Sequence, residues 1–192
     1  MIERKPFELA VKNIGNLLFS KILCVIFIIM AIGLIDMTEG VILPILFQLF
    51  LFVMFFTFLY LSYQREGDHD RNFIDLGRMK PDLFKGAKSG AYLAIPSFLL
   101  NLLFLLSKCG LFSDEFFGIY KLLNAQYLPV LIILDQGGTP LSSEISWWVV
   151  AVGFLLVLLI PALTGAAYYL GYNRIAISQY VFYKNKKGKK RL

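Results

Sequence analysis

The sequence predicts an all-α integral membrane protein, a four-span transmembrane helix bundle with amphipathic interfacial helices. Hydrophobic residues make up 58% of the 192 residues, and the mean hydropathy is +0.68. Both values lie outside the range typical of a soluble domain. The apolar residues come in runs close to about 20 residues long, which is the length that crosses about 30 Å of hydrocarbon. We therefore expect one membrane domain over residues 1–192.

Four apolar stretches are long enough to span a bilayer, at residues 18–35, 41–62, 90–107 and 147–172. None contains Asp or Glu, and only the first contains a basic residue, Lys21 at its edge. Ionisable residues inside spans mark ion and proton pathways in many transporters. Because we expect no such residue at depth, the sequence disfavours a self-contained ion-coupled pump.

The basic residues fix the orientation of the four spans. Four lie in the N-terminal segment up to Lys21, six in the 63–89 loop and seven in the tail 173–192, which is seventeen of the nineteen Lys and Arg on one side. The positive-inside bias identifies that side as cytoplasmic. The prediction is a multi-pass protein of the cell membrane with both termini in the cytoplasm and an external segment at 108–146.

The stretch 116–134 is apolar enough to be considered as a fifth span. It also contains Lys121, Asn124, Gln126 and Pro129, and a charged residue at a span centre costs a few kcal/mol. A fifth span would place the basic tail outside. We therefore expect an external segment that lies on the bilayer surface, or one that dips into the bilayer and returns.

Two cytoplasmic segments have helical periodicity. After Pro6, apolar residues recur every three or four positions up to Leu18, which predicts an amphipathic helix leading into the first span. Pro81 likewise opens an amphipathic stretch over 82–88 that leads into the third span.

Gln48 and Asn101 are the main polar residues within the spans. Counting from the external ends of their spans places both about 10 Å below the same edge. An unpaired amide in hydrocarbon is costly. We therefore predict that this intramembrane polar pair faces the bundle interior and meets directly or through a shared water, as a packing contact or as a pathway lining.

Asp68, His69 and Asp70 form the densest polar cluster and include the only histidine. Adjacent alternating residues rarely converge on one metal ion, and no nucleophile motif accompanies them. The favoured interpretation is a solvated turn, so no catalytic residue, metal site or cofactor is predicted. Cys24 and Cys109 fall near opposite faces of the bilayer, which disfavours a disulfide.

Other residues predict contacts with lipid. Trp147 and Trp148 are expected at the membrane interface. The basic tail predicts contact with anionic lipid headgroups through Lys184, Lys186, Lys187, Lys189, Lys190 and Arg191. Nucleic-acid binding is disfavoured because no folded basic surface accompanies the tail. The small residues that follow Pro161 suit either a contact with another subunit or one within the monomer.

The layout of a charged turn, a basic amphipathic helix and a span is similar to that of small membrane proteins of Gram-positive bacteria, a resemblance that implies no role for any residue. The leading hypothesis is a non-enzymatic accessory or structural subunit of a bacterial membrane complex, with a protein partner or as a homo-oligomer. The alternative is a small transport or channel component, which could be a homo-oligomer. A membrane-embedded lipid enzyme is a third hypothesis.

Overall fold

The computed structural model describes residues 5–36, 42–113, 115–127, 130–131 and 145–175, and all regular structure in these ranges is helical. The helices are α1 (Pro6–Asp36), α2 (Ile42–Asp75), α3 (Lys85–Lys108), α4 (Phe116–Leu123) and α5 (Trp147–Tyr172), with a short 3-10 turn at Ala125–Tyr127. Four of them, α1, α2, α3 and α5, are long and apolar enough to cross a membrane. The predicted helical class is confirmed at this level.

Two helices are longer than the predicted spans. The amphipathic stretch after Pro6 and the first span form one helix of 31 residues. Helix α2 has 34 residues and ends at Asp75, so it is about 50 Å long. The predicted turn at 66–72 is therefore wrong. Gly67 lies within this helix, and its missing side chain lets α5 approach closely.

Helix α3 begins at Lys85, four residues after the proline that was predicted to open it. Asp82 stabilises this start. Its carboxylate accepts a hydrogen bond from the Phe84 backbone N–H at 3.1 Å and forms an ion pair with Lys88 at 2.9 Å. Such side-chain bonds satisfy backbone donors that a helix start leaves unpaired.

Helices α3 and α5 pack closely through small residues. A Cβ atom on Gly90 would lie 1.9 Å from Thr164 Oγ1, and one on Gly165 would lie 2.9 Å from Ala87 Cβ. Thr164 also donates a hydrogen bond across the interface to the Gly86 carbonyl at 3.2 Å. Thr164 and Gly165 of the small-residue patch after Pro161 therefore make a contact within the monomer, while Ala162 and Ala166 of the same patch are exposed. A contact of the patch with another subunit stays a prediction.

The outward faces of the long helices are apolar. Ile29 and Leu155, for example, are 64% and 63% exposed, as expected of side chains that face lipid. The interior holds two hydrophobic clusters, one shared by all four long helices and one around α4. Cys24 is buried, Cys109 is exposed, and both are free.

Candidate functional site

The connection between α3 and α5 starts and finishes at the same end of the bundle. Lys108, the last residue of α3, donates a hydrogen bond to the Ile145 carbonyl and lies 4.9 Å from the ring centroid of Trp147. The end of α3 therefore adjoins the start of α5, so the two helices are antiparallel. This proximity contradicts the five-span alternative, which places these residues at opposite ends.

Between those two ends the chain enters the bundle, forming a re-entrant segment (116–127 and 130–131). Phe117 and Tyr120 are buried and stack on Phe104 of α3, with ring centroids 5.0 and 4.5 Å apart. Tyr127 donates a hydrogen bond to the Leu156 carbonyl at 3.1 Å. One face of the described part of this segment is therefore packed against the bundle interior, and its position relative to a bilayer surface stays a prediction.

The tip of the re-entrant segment meets a lysine. Lys21 Nζ donates to Ser97 Oγ at 3.1 Å and contacts the Leu123 carbonyl at 3.4 Å. Leu123 ends α4, so its carbonyl belongs to the negative end of the helix dipole, where a cation is favourable. The Leu123 carbonyl, at the negative end of α4, is therefore a favourable partner for the Lys21 ammonium group.

Lys21 is the middle residue of the 31-residue helix α1, and Ser97 lies at the middle of the 24-residue helix α3. Lys21 therefore lies at mid-helix, because the amphipathic entry helix and the first predicted span are continuous. The position of Lys21 relative to the edge of a membrane stays a prediction.

Two more polar side chains of the tip have hydrogen-bonding capacity that the described part of the chain does not use. Gln126 is 0% exposed, and neither its amide nitrogen nor its amide oxygen has a partner there. Asn124 Oδ1 is likewise buried and unpaired among the described residues. A buried unsatisfied group costs about 1–3 kcal/mol.

Gln48 and Asn101 are both buried, but they are not hydrogen-bonded to each other. Gln48 donates to the Gln126 carbonyl at 2.8 Å and accepts from the Val130 N–H at 3.1 Å. Asn101 accepts from the Tyr120 hydroxyl at 2.7 Å. The predicted direct contact is replaced because the re-entrant backbone leaves regular helix and its polar groups need partners inside the bundle.

Glycine in α5 makes room for the Asn101–Tyr120 bond. A Cβ atom on Gly153 would lie 2.5 Å from Asn101 Oδ1 and 2.7 Å from the Tyr120 hydroxyl. The two polar groups therefore sit directly against the α5 backbone. Asn101 bonds the re-entrant segment to α3, and Gln48 bonds it to α2.

A second polar cluster lies at the other end of the bundle, where α3 begins. Asp70 Oδ2 accepts from Lys85 Nζ at 2.5 Å and from the Tyr168 hydroxyl at 2.8 Å. The Asp70 and Lys85 side chains are 1% and 3% exposed, so this is a buried ion pair that ties α2, α3 and α5 together. Close by, the Tyr63 and Ser89 hydroxyls lie 2.6 Å apart.

The Asp68, His69 and Asp70 side chains do not converge. Asp68 and His69 are exposed while Asp70 is buried, because successive residues of a helix point about 100° apart. The His69 ring packs on Phe73 with centroids 4.6 Å apart. In the ranges that the structure describes, no group of three metal-type ligands forms.

The predicted lipid contacts divide into two groups. Trp147 and Trp148 are 59% and 77% exposed at the start of α5, and their interfacial role stays a prediction. The basic tail residues 184–191 lie outside the described residues, so their contact with anionic headgroups also stays a prediction.

Sequence reasoning missed the mid-helix position of Lys21, the contacts of Tyr120 and Gln126, and the Asp70–Lys85–Tyr168 cluster. A continuous count from Pro6 would have placed Lys21 at mid-helix. The Gly86 and Gly90 spacing, a small-xxx-small pattern, would have indicated the close α3–α5 contact.

Comparison of the chain with protein-family models, curated proteins and solved structures finds no match.

Proposed function

We propose that this chain is a non-enzymatic transport component of a bacterial cell membrane, a small channel or carrier subunit whose solute contacts the tip of the re-entrant segment. One observation carries the proposal: Lys21 lies at mid-helix against the end of α4. Ionisable residues and half-length helices inside a bundle are typical of solute and ion pathways. The expected absence of such a residue at depth was the main sequence argument against transport, and in this proposal Lys21 is such a residue.

The groups at the tip suit a small polar or anionic solute. Lys21 supplies a cation and Ser97 a hydroxyl 3.1 Å from it. Gln126, three residues after Leu123 in the chain, carries a buried amide that can both donate and accept. The dipole of α4 offsets part of the lysine charge. A weakly attractive site of this kind favours passage, because a solute has to leave as well as enter.

The proposed setting follows the charge distribution. We place both termini in the cytoplasm, because the basic segments share one side of a four-span map. The basic tail would contact anionic lipid of the inner leaflet, and a homo-oligomer would provide a wider pathway than one bundle.

Reconstitution into liposomes tests the function. With a panel of anions and neutral polar solutes, we expect flux above that of empty liposomes for at least one solute. Lys21→Met should reduce that flux about tenfold, the loss expected when a charged hydrogen bond to the solute disappears. Lys88→Met is the matched control, since Lys88 is an exposed lysine at the bundle end, and it should leave flux unchanged.

Two results would contradict the proposal: no flux from correctly folded protein with any solute of the panel, or equal flux from the wild type and Lys21→Met. Gln126→Leu provides an independent check, because it removes hydrogen-bonding groups at the same tip without changing charge.

The second candidate is the accessory or structural subunit. It is favoured by the exposed polar end of α2, where Arg174 bonds to Asn72 at 2.7 Å and to Asp75 at 3.0 Å. In this candidate, the polar end of α2 and the residues after α5 together form the docking surface for a cytoplasmic protein. Absence of flux from the pure chain would favour this candidate.

A further inference from the structure

A cavity of about 300 Å³ lies between α1, α2 and α3 at the end of the bundle where α3 begins. It is lined by Glu8, Leu9, Lys12, Glu66 and Lys85. Its volume is at the lower end of the range for small-molecule sites. The re-entrant tip lies far from it, since Lys85 is the first residue of α3 and Ser97 is in its middle.

The level of the cavity along the bundle matches that of lipid headgroups. Helix α3 has 24 residues and is about 36 Å long, slightly more than the hydrocarbon thickness of about 30 Å. Its first residue therefore lies close to the headgroup level when α3 spans the bilayer. Phe7 and Val11, on α1 beside the cavity residues, are 59% and 53% exposed and offer an apolar surface for acyl chains.

The cavity carries charges of both signs. Lys12 donates to Glu66, and Lys85 donates to the buried Asp70 behind the wall. The Lys12 side chain is 61% exposed and the Glu66 side chain 11% exposed, while Glu8 is exposed on the first turns of α1. Two ammonium groups and two carboxylates line the space, and Asp70 brings the local formal charge to about −1.

We propose that this cavity binds a zwitterionic aminoalkyl phosphate, the headgroup of a phosphatidylethanolamine-type lipid. The phosphate accepts hydrogen bonds from Lys12, and the primary ammonium donates to Glu8 and Glu66. The Glu66 carboxylate can accept from Lys12 and from the ligand together, because an ionised carboxylate offers about four acceptor positions.

The same charges disfavour other common headgroups. The phosphate of an anionic glycerol headgroup would bring a negative charge beside two carboxylates without a compensating ammonium. A choline headgroup carries a quaternary ammonium that has no N–H to donate. The site should therefore prefer a primary amine, and that preference distinguishes it from the anionic lipid expected at the basic tail.

The test measures the thermal stability of the purified full-length chain in detergent while short-chain lipids are titrated. Phosphatidylethanolamine should raise the midpoint temperature in a saturable way, as a ligand that binds only the folded state does. Phosphatidylglycerol and phosphatidylcholine should produce much smaller shifts. Glu8→Gln and Lys12→Gln should each weaken the apparent affinity for phosphatidylethanolamine about tenfold. Lys88→Gln, an exposed lysine outside the cavity, should not.

Soluble phosphoethanolamine separates the two sources of this headgroup. If the ligand is lipid, the soluble compound should compete only at concentrations at least about tenfold higher, because it lacks the apolar contacts along α1. Equal potency of the soluble compound would overturn the lipid assignment. Equal shifts from all three lipids, or unchanged affinity in Glu8→Gln and Lys12→Gln, would overturn the site. These readouts measure binding rather than flux, so they are independent of the proposed transport function.

Discussion

Replacing Asp70 with alanine is expected to reduce the free energy of unfolding by about 3–5 kcal/mol, the cost of removing one partner of a buried ion pair. Asp70 accepts hydrogen bonds from Lys85 and Tyr168. Without the carboxylate, the buried Lys85 ammonium loses its hydrogen-bonded partner, and three helices lose their shared contact. Chemical or thermal unfolding of the purified protein in detergent measures the loss.

Two controls make this prediction specific. Lys88→Met breaks the Lys88–Asp82 pair, whose side chains are 55% and 34% exposed, and should cost less than about 1 kcal/mol. The double variant Asp70→Leu with Lys85→Met should cost less than Asp70→Ala, because no charge is left unpaired. A loss for Asp70→Ala no larger than that for Lys88→Met would refute the role assigned to the buried pair.

Gly171→Ala is expected to reduce the free energy of unfolding by about 1–3 kcal/mol, the usual cost of overpacking an interface. A Cβ atom there would lie 1.9 Å from the Gln64 carbonyl oxygen, which is a backbone atom that cannot rotate away. On the facing helix, a Cβ on Gly67 would lie 2.2 Å from the Tyr168 carbonyl oxygen. Separating α2 from α5 would also stretch the Asp70–Tyr168 bond.

Gly15→Ala is the matched control for this interface. Gly15 lies within α1, and a Cβ atom there would have nothing within 4 Å. Since alanine is a better helix former than glycine, this change should stabilise the protein by roughly 0.5–1 kcal/mol. If both alanine variants shifted stability in the same direction, close glycine packing would not be what holds α2 against α5.

The four long helices could be predicted because hydrocarbon thickness imposes a minimum length of apolar sequence. The start of α1 at Pro6 could also be predicted, from the amphipathic spacing after that proline. The end of α2 could not, because the helix continues to Asp75 through a stretch where polar residues are frequent and a hydropathy criterion ends the span. Helix formers such as Gln64 and Arg65 carry α2 past its apolar part.

Of the candidate site, only the burial of its polar side chains could be predicted. The depth of Gln48 and Asn101 follows from counting along the spans, and both are buried. Their partners depend on where the re-entrant segment packs, and the eight-residue helix α4 is too short to reveal this through periodicity. Asp70 and Lys85 meet across the turn between α2 and α3, so no local pattern links them.

Thiol labelling in intact cells tests most directly the claim that the chain between α3 and α5 enters the bundle and returns to the same side. Cys109 and Ser146 are exposed at the two ends of this connection. A membrane-impermeant maleimide would be applied to two proteins: the wild-type chain, and a Ser146→Cys variant in a Cys109→Ser background. We expect both thiols to react without permeabilisation of the cells. A Leu76→Cys variant in the same Cys109→Ser background carries its thiol at the far end of α2 and should react only after permeabilisation. Labelling of one thiol of the Cys109 and Ser146→Cys pair but not the other would place them on opposite sides and contradict the re-entrant fold.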